Sequence, residues 1–333
     1  MARMDLLRGD PLPWLLEPDP ANPSVRYFAL RELLERAPDE PEVRQARAEI
    51  MTSGPVPAIL AAQQPEGYWV KTGNSYSPKY RGIVWQIMFL AEFGADPSDE
   101  RVRRGCEYLL DHSRTDTGAF SIYRPPVPSG AVHCLNGNLL HALLRLGYAG
   151  DPRVQEALDW EVRAITGEGG MQYYKWGTSG PGFACGINVG QPCAWGANKA
   201  LKALSAIPPE QRTPTVQRAI QAGVEFLFSR DPAAADYPYT EKVSPNWFKF
   251  IFPFSYWSDV LETAAVLADL GYGSDPRLAP VLQLILDKQD AAGRWKLENT
   301  LNGKMWIDVE KKGQPSKWIT LRALRVLKRS KLI

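Results

Sequence analysis

Apolar residues recur every three to four positions along most of the chain, which is the spacing of one face of an α-helix. In the segment PSVRYFALRELLER, for example, Val25, Phe28, Leu30 and Leu33 follow this spacing. Six segments are apolar on most of their faces: 24–36, 83–95, 135–148, 194–206, 258–271 and 317–328. A helix that is apolar all round is buried. These six segments are therefore predicted to be inner helices.

More amphipathic segments alternate with the inner ones and are predicted to be outer helices: 40–52 with 56–64, 99–112, 152–165, 213–228 and 276–288. The near-copies LGYAGDPRV at 146–154 and LGYGSDPRL at 270–278 mark a repeat of helical pairs. One such unit cannot bury its own apolar face and must stack on its neighbours. The pattern predicts an all-α fold, an α/α toroid with six inner and five to six outer helices. We expect one toroid domain at 23–330, after an N-terminal arm at 1–22 that is rich in Pro and Asp.

The loops that precede the inner helices should collect at one end of the toroid, which we call the loop rim. One of them carries nine aromatic residues between Tyr237 and Trp257, and its three prolines exclude a regular strand. Exposed rings in such number would be costly, so they either line a cavity or plug the barrel as core. A second loop, at 171–183, is also aromatic. The rings predicted to contact a ligand are Tyr173, Trp176, Trp247, Phe252, Phe254, Tyr256 and Trp257.

Cations are also expected at the loop rim. Lys79, Tyr80 and Arg81 directly precede an inner helix. Positive side chains beside a helix N-terminus suit a diphosphate group, so these three residues are predicted to bind a ligand. The alternative is solvated loop charge.

Four cysteines occur in the chain. Cys134 and Cys193 begin adjacent inner helices, Cys185 lies in the loop before the second, and His133 adjoins Cys134. Thiolates and imidazole suit a tetrahedral zinc site, so zinc bound by Cys134, Cys185 and Cys193 is one prediction. Small, buried free cysteines are the alternative. His133 is in the same way either a core residue or a catalytic one.

The remaining composition limits partners and location. A net charge of +2 gives no reason to expect nucleic acid as a partner. The N-terminal sequence lacks the apolar core of a signal peptide, and no run approaches the ~20 apolar residues that cross a bilayer. Cysteines without a dense framework fit a reducing interior, so a cytoplasmic protein is predicted. The cations between Arg322 and Lys331 suit a helix C-terminus, or alternatively a peripheral contact with an anionic membrane.

The repeat ends carry a resemblance. QDAAGRW at 289–295 has the form Q-x-x-x-G-x-W, and QPEGYW at 64–69 approximates it. From about residue 24 to 328, the chain resembles the terpenoid cyclase and protein prenyltransferase superfamily. That resemblance implies an α/α toroid and a hydrophobic small molecule, an isoprenoid or an isoprenyl diphosphate, as partner.

Two catalytic signatures of that superfamily are incomplete here. DVLETA at 259–264 aligns with the D-x-D-D-T-A element of class II cyclases, but Leu261 stands where the usual proton donor would. Asp259 and Glu262 are the acids that would substitute for it. QPC at 191–193 places Cys193 like the zinc-binding Cys of prenyltransferases, yet Gln191 replaces the Asp, and no His is found near Trp318.

Three functions remain open at this stage. The first is an isoprenoid-handling enzyme, a cyclase or prenyltransferase relative with Asp259, Glu262 and His133 as non-standard catalytic residues. The second is a non-catalytic binding or scaffold protein with the same fold. The third is a polysaccharide lyase or glycosidase on an α/α barrel, which would use aromatic rings as sugar platforms and two acids for the chemistry. A carboxylate pair ~5–10 Å apart in the cavity would favour the third function, and a closed apolar cavity would disfavour it. The sequence predicts neither the substrate nor the oligomeric state.

Overall fold

The computed structural model describes residues 6–74, 76–170, 179–234 and 244–333. Tyr173 and Trp176, predicted above to contact a ligand, lie outside these residues. Within them the helices are α1 (Leu12–Leu16), α2 (Pro23–Phe28), α3 (Pro41–Thr52), α4 (Pro55–Ala61), α5 (Ile83–Glu92), α6 (Glu100–His112), α7 (His133–Arg145), α8 (Pro152–Thr166), α9 (Ala194–Ser205), α10 (Pro214–Phe228), α11 (Val260–Leu267), α12 (Ala279–Asp287) and α13 (Lys317–Arg329).

Shorter elements connect these helices. One π-helical turn, Ala29–Leu33, extends α2, and another, Ala268–Tyr272, extends α11. Single 3₁₀ turns lie at Pro128–Gly130, Glu168–Gly170, Pro181–Phe183, Gly186–Asn188, Pro209–Gln211 and Pro276–Leu278. Strand β1 (Ser179–Gly180) pairs antiparallel with β2 (Ala184–Cys185), and β3 (Ile251–Phe252) pairs parallel with β4 (Asn299–Thr300).

The inner ring consists of α2, α5, α7, α9, α11 and α13, and α13 packs back onto α2 to close it. The outer helices are α3 with α4, α6, α8, α10 and α12. This arrangement confirms the predicted all-α toroid, and the observed helices fall close to the predicted ranges. Among the described residues, no helix combines the length and the apolar character needed to cross a membrane.

The repeat motif has a structural role. Trp69 and Trp295 are fully buried, and each indole Nε1 donates a hydrogen bond to the carbonyl ten residues earlier, of Ile59 at 2.8 Å and of Ile285 at 2.7 Å. The motif glycine Gly293 has φ +72°, and a Cβ there would lie 2.4 Å from the carbonyl oxygen of Gly9. The motif therefore fixes the end of an outer helix, and Gly293 lets the N-terminal arm pack against the last repeat.

The closest approach within the inner ring is between α7 and α9. A Cβ built on Gly137 of α7 would lie 2.3 Å from the backbone carbonyl carbon of Lys199 in α9. Gly196 of α9 faces the Cβ of His133 at 3.1 Å. Glycine at these two positions lets the helix backbones nearly touch, which brings the side chains of the two helices together further along the ring axis.

Candidate functional site

The described part of the aromatic stretch, residues 244–257, packs at the loop rim. Trp247 and Phe252 are buried, and the Phe252 ring stacks on Trp318 with ring centroids 4.1 Å apart. A void of about 10 Å³, about the space of one water molecule, lies beside Tyr76, Trp85, Cys134 and Tyr256. Tyr256 and Trp257 are partly buried. The contacts of these residues are thus core packing, and their contact with a ligand stays a prediction.

The cations predicted for the loop rim lie against aromatic rings. The Lys79 ammonium lies 4.8 Å from the centroid of the Tyr256 ring, and the Arg81 guanidinium lies 5.3 Å from that of Trp306. Tyr80 is buried. Lys79 and Arg81 are therefore held by cation–π contacts at the loop rim. Nothing in the described residues tests whether they also bind a diphosphate.

The three cysteines predicted to bind zinc gather at the same end. Cys193 caps α9 by accepting the amide hydrogen of Gly196, with N and Sγ 3.5 Å apart. Burial, reinforced by the nearby Cys193 and Cys185, raises the pKa of the Cys134 thiol. Thiolate is the form that binds zinc, so this environment works against the site. In the described parts of the chain, no group of three or more His, Cys, Asp or Glu side chains is arranged to hold a metal ion. Zinc remains a prediction.

His133 is buried among partners. Its Nδ1 lies 2.7 Å from Oε1 of Glu161 on α8, and its Nε2 lies 3.2 Å from the carbonyl oxygen of Gly180 in β1. Both ring nitrogens are therefore engaged with neighbouring elements. The side chain joins α7, α8 and β1, and a catalytic role for it is untested.

Asp259 is likewise held on both oxygens. It caps α11 by accepting the amide hydrogen of Glu262 at 2.7 Å, and it accepts that of Ile251 at 2.8 Å. Arg322 Nη2 donates to the same carboxylate at 3.0 Å. Leu261, in the position of the cyclase proton donor, is buried in the core. Glu262, the second acid of DVLETA, lines the cavity at the other end of the ring, and Asp259 is not among its lining residues.

A cavity of about 610 Å³ lies at the opposite end of the ring, where the inner helices end. Its size falls within the range of ligand pockets. Unlike the loop rim, it is lined by charged and polar side chains from five inner helices and their π-helical extensions. Those that can ionise are Glu32, Glu92, His141, Arg145, Lys202, Glu262, Asp269, Arg322, Arg325 and Arg329. We call this space the charged cavity.

Phe254 forms the floor of the charged cavity. It is the one residue of the aromatic stretch that lines this space among the described residues. Three cations surround its ring: Lys199 Nζ at 4.6 Å, Lys202 Nζ at 4.1 Å and the Arg322 guanidinium at 4.0 Å from the centroid. Phe254 thus reaches the charged cavity from the same segment that carries Trp247 and Phe252 at the loop rim.

Two carboxylates meet around Lys202. The Lys202 ammonium lies 3.2 Å from Oε2 of Glu92 and 3.8 Å from Oε1 of Glu262. Because both oxygens lie so near the same nitrogen, they are at most about 7 Å apart, within the separation of glycosidase carboxylate pairs. The other oxygen of Glu262 accepts hydrogen bonds from Lys199 Nζ, at 2.5 Å, and from the Ser258 hydroxyl.

Electrostatics keep Glu92 ionised. Burial on its own would raise the pKa of this carboxyl, but the charges of Lys202, Arg145 and Arg322 outweigh burial and lower that pKa. Burial lowers the pKa of Lys199, although Glu262 opposes that shift. Glu92 is therefore ionised at neutral pH and has no proton to donate.

Arg145 stands out among the cations of the charged cavity. The others have carboxylate partners: Lys199 and Lys202 share Glu262, Lys202 also meets Glu92, Arg322 pairs with Asp259, Arg325 with Glu32, and Arg329 with Asp269. No carboxylate of the described residues lies within ion-pair distance of exposed Arg145. Its guanidinium lies 5.2 Å from the centroid of the Phe28 ring. The charged cavity therefore has one surplus positive charge near its mouth.

His141 lies one helical turn before Arg145 on α7 and lines the same space. Its ring nitrogens have no hydrogen-bond partner within the part of the chain that the structure describes. Burial first, and then the charges of Lys202, Arg145 and Lys199, lower the pKa of His141 well below its usual value. The imidazole is consequently neutral at physiological pH.

The site predicted from the sequence lies mainly at the loop rim, the end opposite to this cavity, and it includes Glu262 but not Glu92, Arg145 or Lys202. A signal was present, because charged residues such as Lys202 interrupt helices that are otherwise apolar all round. A buried helix that carries charge must turn it toward a partner or a polar interior.

No family model and no curated protein matches the chain. Among solved structures, a glycosyl hydrolase family 88 protein from Bacteroides vulgatus is similar over 94% of this chain and 92% of its own, with 13% identity and a TM-score of 0.52. The type II terpene cyclase MstE from Scytonema is similar over 95% and 89%, with 15% identity and a TM-score of 0.48. A protein from Actinoplanes covers 93% and 90%, with 16% identity and a TM-score of 0.46. At these identities the likeness concerns the fold alone, and it links the chain to no single activity.

Proposed function

We propose that this protein binds an acidic saccharide in the charged cavity and acts on it as a glycosidase- or lyase-type enzyme. The observation that carries the proposal is the lining of the cavity. Its charged walls would meet the many hydroxyl groups of a sugar, whereas an isoprenoid chain needs apolar walls. The surplus charge of Arg145 gives the cavity a place for a substrate carboxylate.

The carboxylates Glu92 and Glu262 supply the reactive groups. Both lie beside Lys202, and Glu92 is held ionised. In hydrolysis, one of them would take a proton from the attacking water as the glycosidic C–O bond breaks, and the departing oxygen would gain a proton from solvent. In elimination, a base would remove the proton from the carbon next to the substrate carboxylate, and a C=C bond would form to the neighbouring carbon as its glycosidic C–O bond breaks. The departing oxygen would gain a proton from solvent. The cations of the cavity would stabilise the negative charge that develops in the second route.

A second candidate is the isoprenoid-handling function implied by the sequence resemblance. The observation in its favour is that Glu262, which belongs to the cyclase-like DVLETA segment, borders a ligand-sized cavity. The cations there would also attract a diphosphate. Against it stand the buried rings of Trp247 and Phe252, which pack into the core instead of lining a cavity among the described residues.

Binding to the full-length protein separates these candidates. We would titrate it calorimetrically with trigalacturonic acid, with maltotriose as a neutral saccharide, and with farnesyl diphosphate. The proposal predicts that trigalacturonic acid binds more tightly than the other two. Binding of farnesyl diphosphate without trigalacturonic acid would overturn the proposal and favour the isoprenoid candidate.

Turnover is tested on the saccharide that binds. New reducing ends would report cleavage, and ultraviolet absorbance of an unsaturated uronate would distinguish elimination from hydrolysis. Glu92→Gln should abolish cleavage while leaving saccharide binding measurable. Glu225→Gln, which alters an exposed carboxylate on α10 paired with Arg277, is the matched control and should keep full activity. Binding without cleavage by the unaltered protein would contradict the enzymatic part and leave a binding protein.

A further inference from the structure

We propose that His141 and Arg145 form an oxyanion-binding site near the mouth of the charged cavity, in which His141 takes up a proton when a ligand carboxylate binds. This inference deepens the proposed function, because the carboxylate would belong to the acidic saccharide. It adds a specific subsite and a coupling between ligand binding and protonation.

Geometry places the two side chains together. They are separated by four positions on α7, so they share one face of the helix, and both line the charged cavity. The contact of Gly137 with the backbone of Lys199 brings α9 against this helix. Lys202 of α9 consequently lines the same wall, and it is one of the cations that act on His141.

The two side chains differ from their neighbours in lacking partners. Every other cation of the charged cavity has a carboxylate within 4.0 Å, and Arg145 has none among the described residues. His141 makes no hydrogen bond within the same residues. Buried polar groups are normally hydrogen-bonded, so the imidazole of His141 is the unusual group of the two; Arg145 is exposed and lies over the Phe28 ring. Arg145 without an ion pair and His141 without a hydrogen bond lie side by side on one cavity wall. We infer that a ligand supplies both interactions.

The charges around His141 determine which ligand fits. The cations that act on His141 are Lys202, Arg145 and Lys199. The other charged groups of the cavity are Glu32, Glu92, Glu262, Asp269, Arg322, Arg325 and Arg329. Glu92 and Glu262 are occupied by the two lysines, Arg322 by Asp259, Arg325 by Glu32 and Arg329 by Asp269. The cation left for a ligand is Arg145, so the group that binds there carries negative charge and accepts hydrogen bonds. A carboxylate or a phosphate has that chemistry.

Binding of such a group reverses the environment of the imidazole. An oxyanion beside Arg145 offsets the positive charges that keep His141 neutral, and its oxygens can accept a hydrogen bond from a protonated ring. Proton uptake and anion binding then strengthen each other reciprocally. Where one proton is taken up, affinity should increase up to about tenfold for each unit by which pH falls.

Nuclear magnetic resonance can follow the histidines directly, since the chain contains only three. Ring C–H signals of His112, His133 and His141 would be assigned with single His→Gln variants. The pKa of each would be measured in the unaltered full-length protein, alone and with saturating trigalacturonic acid or inorganic phosphate. The inference predicts that trigalacturonic acid raises the pKa of His141 and leaves that of exposed His112 unchanged.

Variants test which side chains are responsible. Arg145→Gln should abolish the ligand-induced change at His141 and weaken binding of trigalacturonic acid at least tenfold, and Arg145→Lys should restore part of both. Arg277→Gln is the matched control, because Arg277 also lies over a phenylalanine ring, 4.1 Å from that of Phe228, but on the outer surface. His141→Gln should remove the dependence of affinity on pH while the circular dichroism spectrum stays unchanged.

The outcomes separate this inference from the proposed function. If trigalacturonic acid binds and the pKa of His141 does not move, the inference fails and the saccharide proposal stands. If trigalacturonic acid does not bind but inorganic phosphate raises the pKa of His141, the oxyanion site stands and the saccharide proposal fails. If neither ligand moves the pKa of His141, the inference is refuted.

Discussion

The contact between α7 and α9 predicts a large effect for the smallest possible substitution. Gly137→Ala adds one methyl group whose carbon would lie 2.3 Å from the carbonyl carbon and 2.4 Å from the carbonyl oxygen of Lys199, and 2.5 Å from the amide nitrogen of Ala200. Ordinary contact begins at 3.4 Å. All three atoms belong to the backbone of α9, so no side chain can rotate away. The two helices must instead separate by about 1 Å, which cores resist because they are densely packed.

The magnitude follows from two opposing effects. Overpacking a well-packed core costs about 1–3 kcal/mol, and the rigid backbone on both sides places this case at the upper end. Alanine also favours the helical conformation over glycine by about 1 kcal/mol. The free energy of unfolding should therefore decrease by about 2 kcal/mol, a difference well within reach of urea denaturation.

Two further glycines provide graded controls for this measurement. Gly196→Ala would place its methyl group 3.1 Å from the Cβ of His133, and so should cost less than Gly137→Ala. At Gly150 nothing lies within 4 Å, so alanine there should be neutral or slightly stabilising. An unfolding free energy for Gly137→Ala equal to or above that of the unaltered protein would refute the close packing of α7 on α9.

Changes at three other positions test two acidic groups and the ring of Phe254. Lys199→Met leaves Glu262 buried without its main partner, so the free energy of unfolding in urea should decrease by about 3–5 kcal/mol. The double variant Lys199→Met/Glu262→Leu should recover at least half of that loss. Equal losses in the two variants would argue against a buried ion pair. Burial raises the pKa of Glu310 to about 7 from 4.5, so the folded protein keeps a proton that the unfolded chain loses, and stability should decrease as pH increases between these values. Glu310→Gln should flatten that slope in pH-dependent denaturation, and an unchanged slope would assign it to other groups. Phe254→Leu removes the ring that lies between three cations, so the free energy of unfolding in urea should decrease by at least about 1 kcal/mol. An unchanged free energy would show that these cation–π contacts contribute nothing.

The toroid could be predicted because its signal is local. Each inner helix repeats an apolar pattern within about a dozen residues, as in the segment that forms α5, and the repeat motif ending in Trp295 marks where each unit closes. Because no single helical pair can bury its own apolar face, successive pairs must stack on one another in chain order. The observed ring follows from these two facts.

The position of the cavity could not be predicted, because it depends on pairings between distant residues. Lys199 meets Glu262 across 63 positions, and Arg325 meets Glu32 across most of the chain. The sequence alone does not say which of these charges neutralise each other and which remains free. It also does not reveal that Trp247 and Phe252 are buried, since the same aromatic pattern fits a lined cavity and a plug equally well.

The direction of the inner helices explains why a cationic mouth forms where it does. All six point in the same direction along the ring axis, so their C-terminal ends lie together at the charged cavity. Arg145, Lys202 and Arg329 occupy the last turns of α7, α9 and α13. A cation at a helix C-terminus is stabilised by the helix dipole, typically by about 0.3–1 kcal/mol. That interaction helps several like charges to gather at one opening. Paired carboxylates neutralise most of these cations. The positive charge of Arg145 has no such partner among the described residues, and it is the charge at the mouth that we propose binds an anion. At the other end the helix N-termini would on their own attract anions. There the buried Phe252 ring stacks on Trp318, in the first turn of α13. The surplus positive charge therefore lies at the end opposite to the loop rim, because it comes from side chains in the last turns of the inner helices.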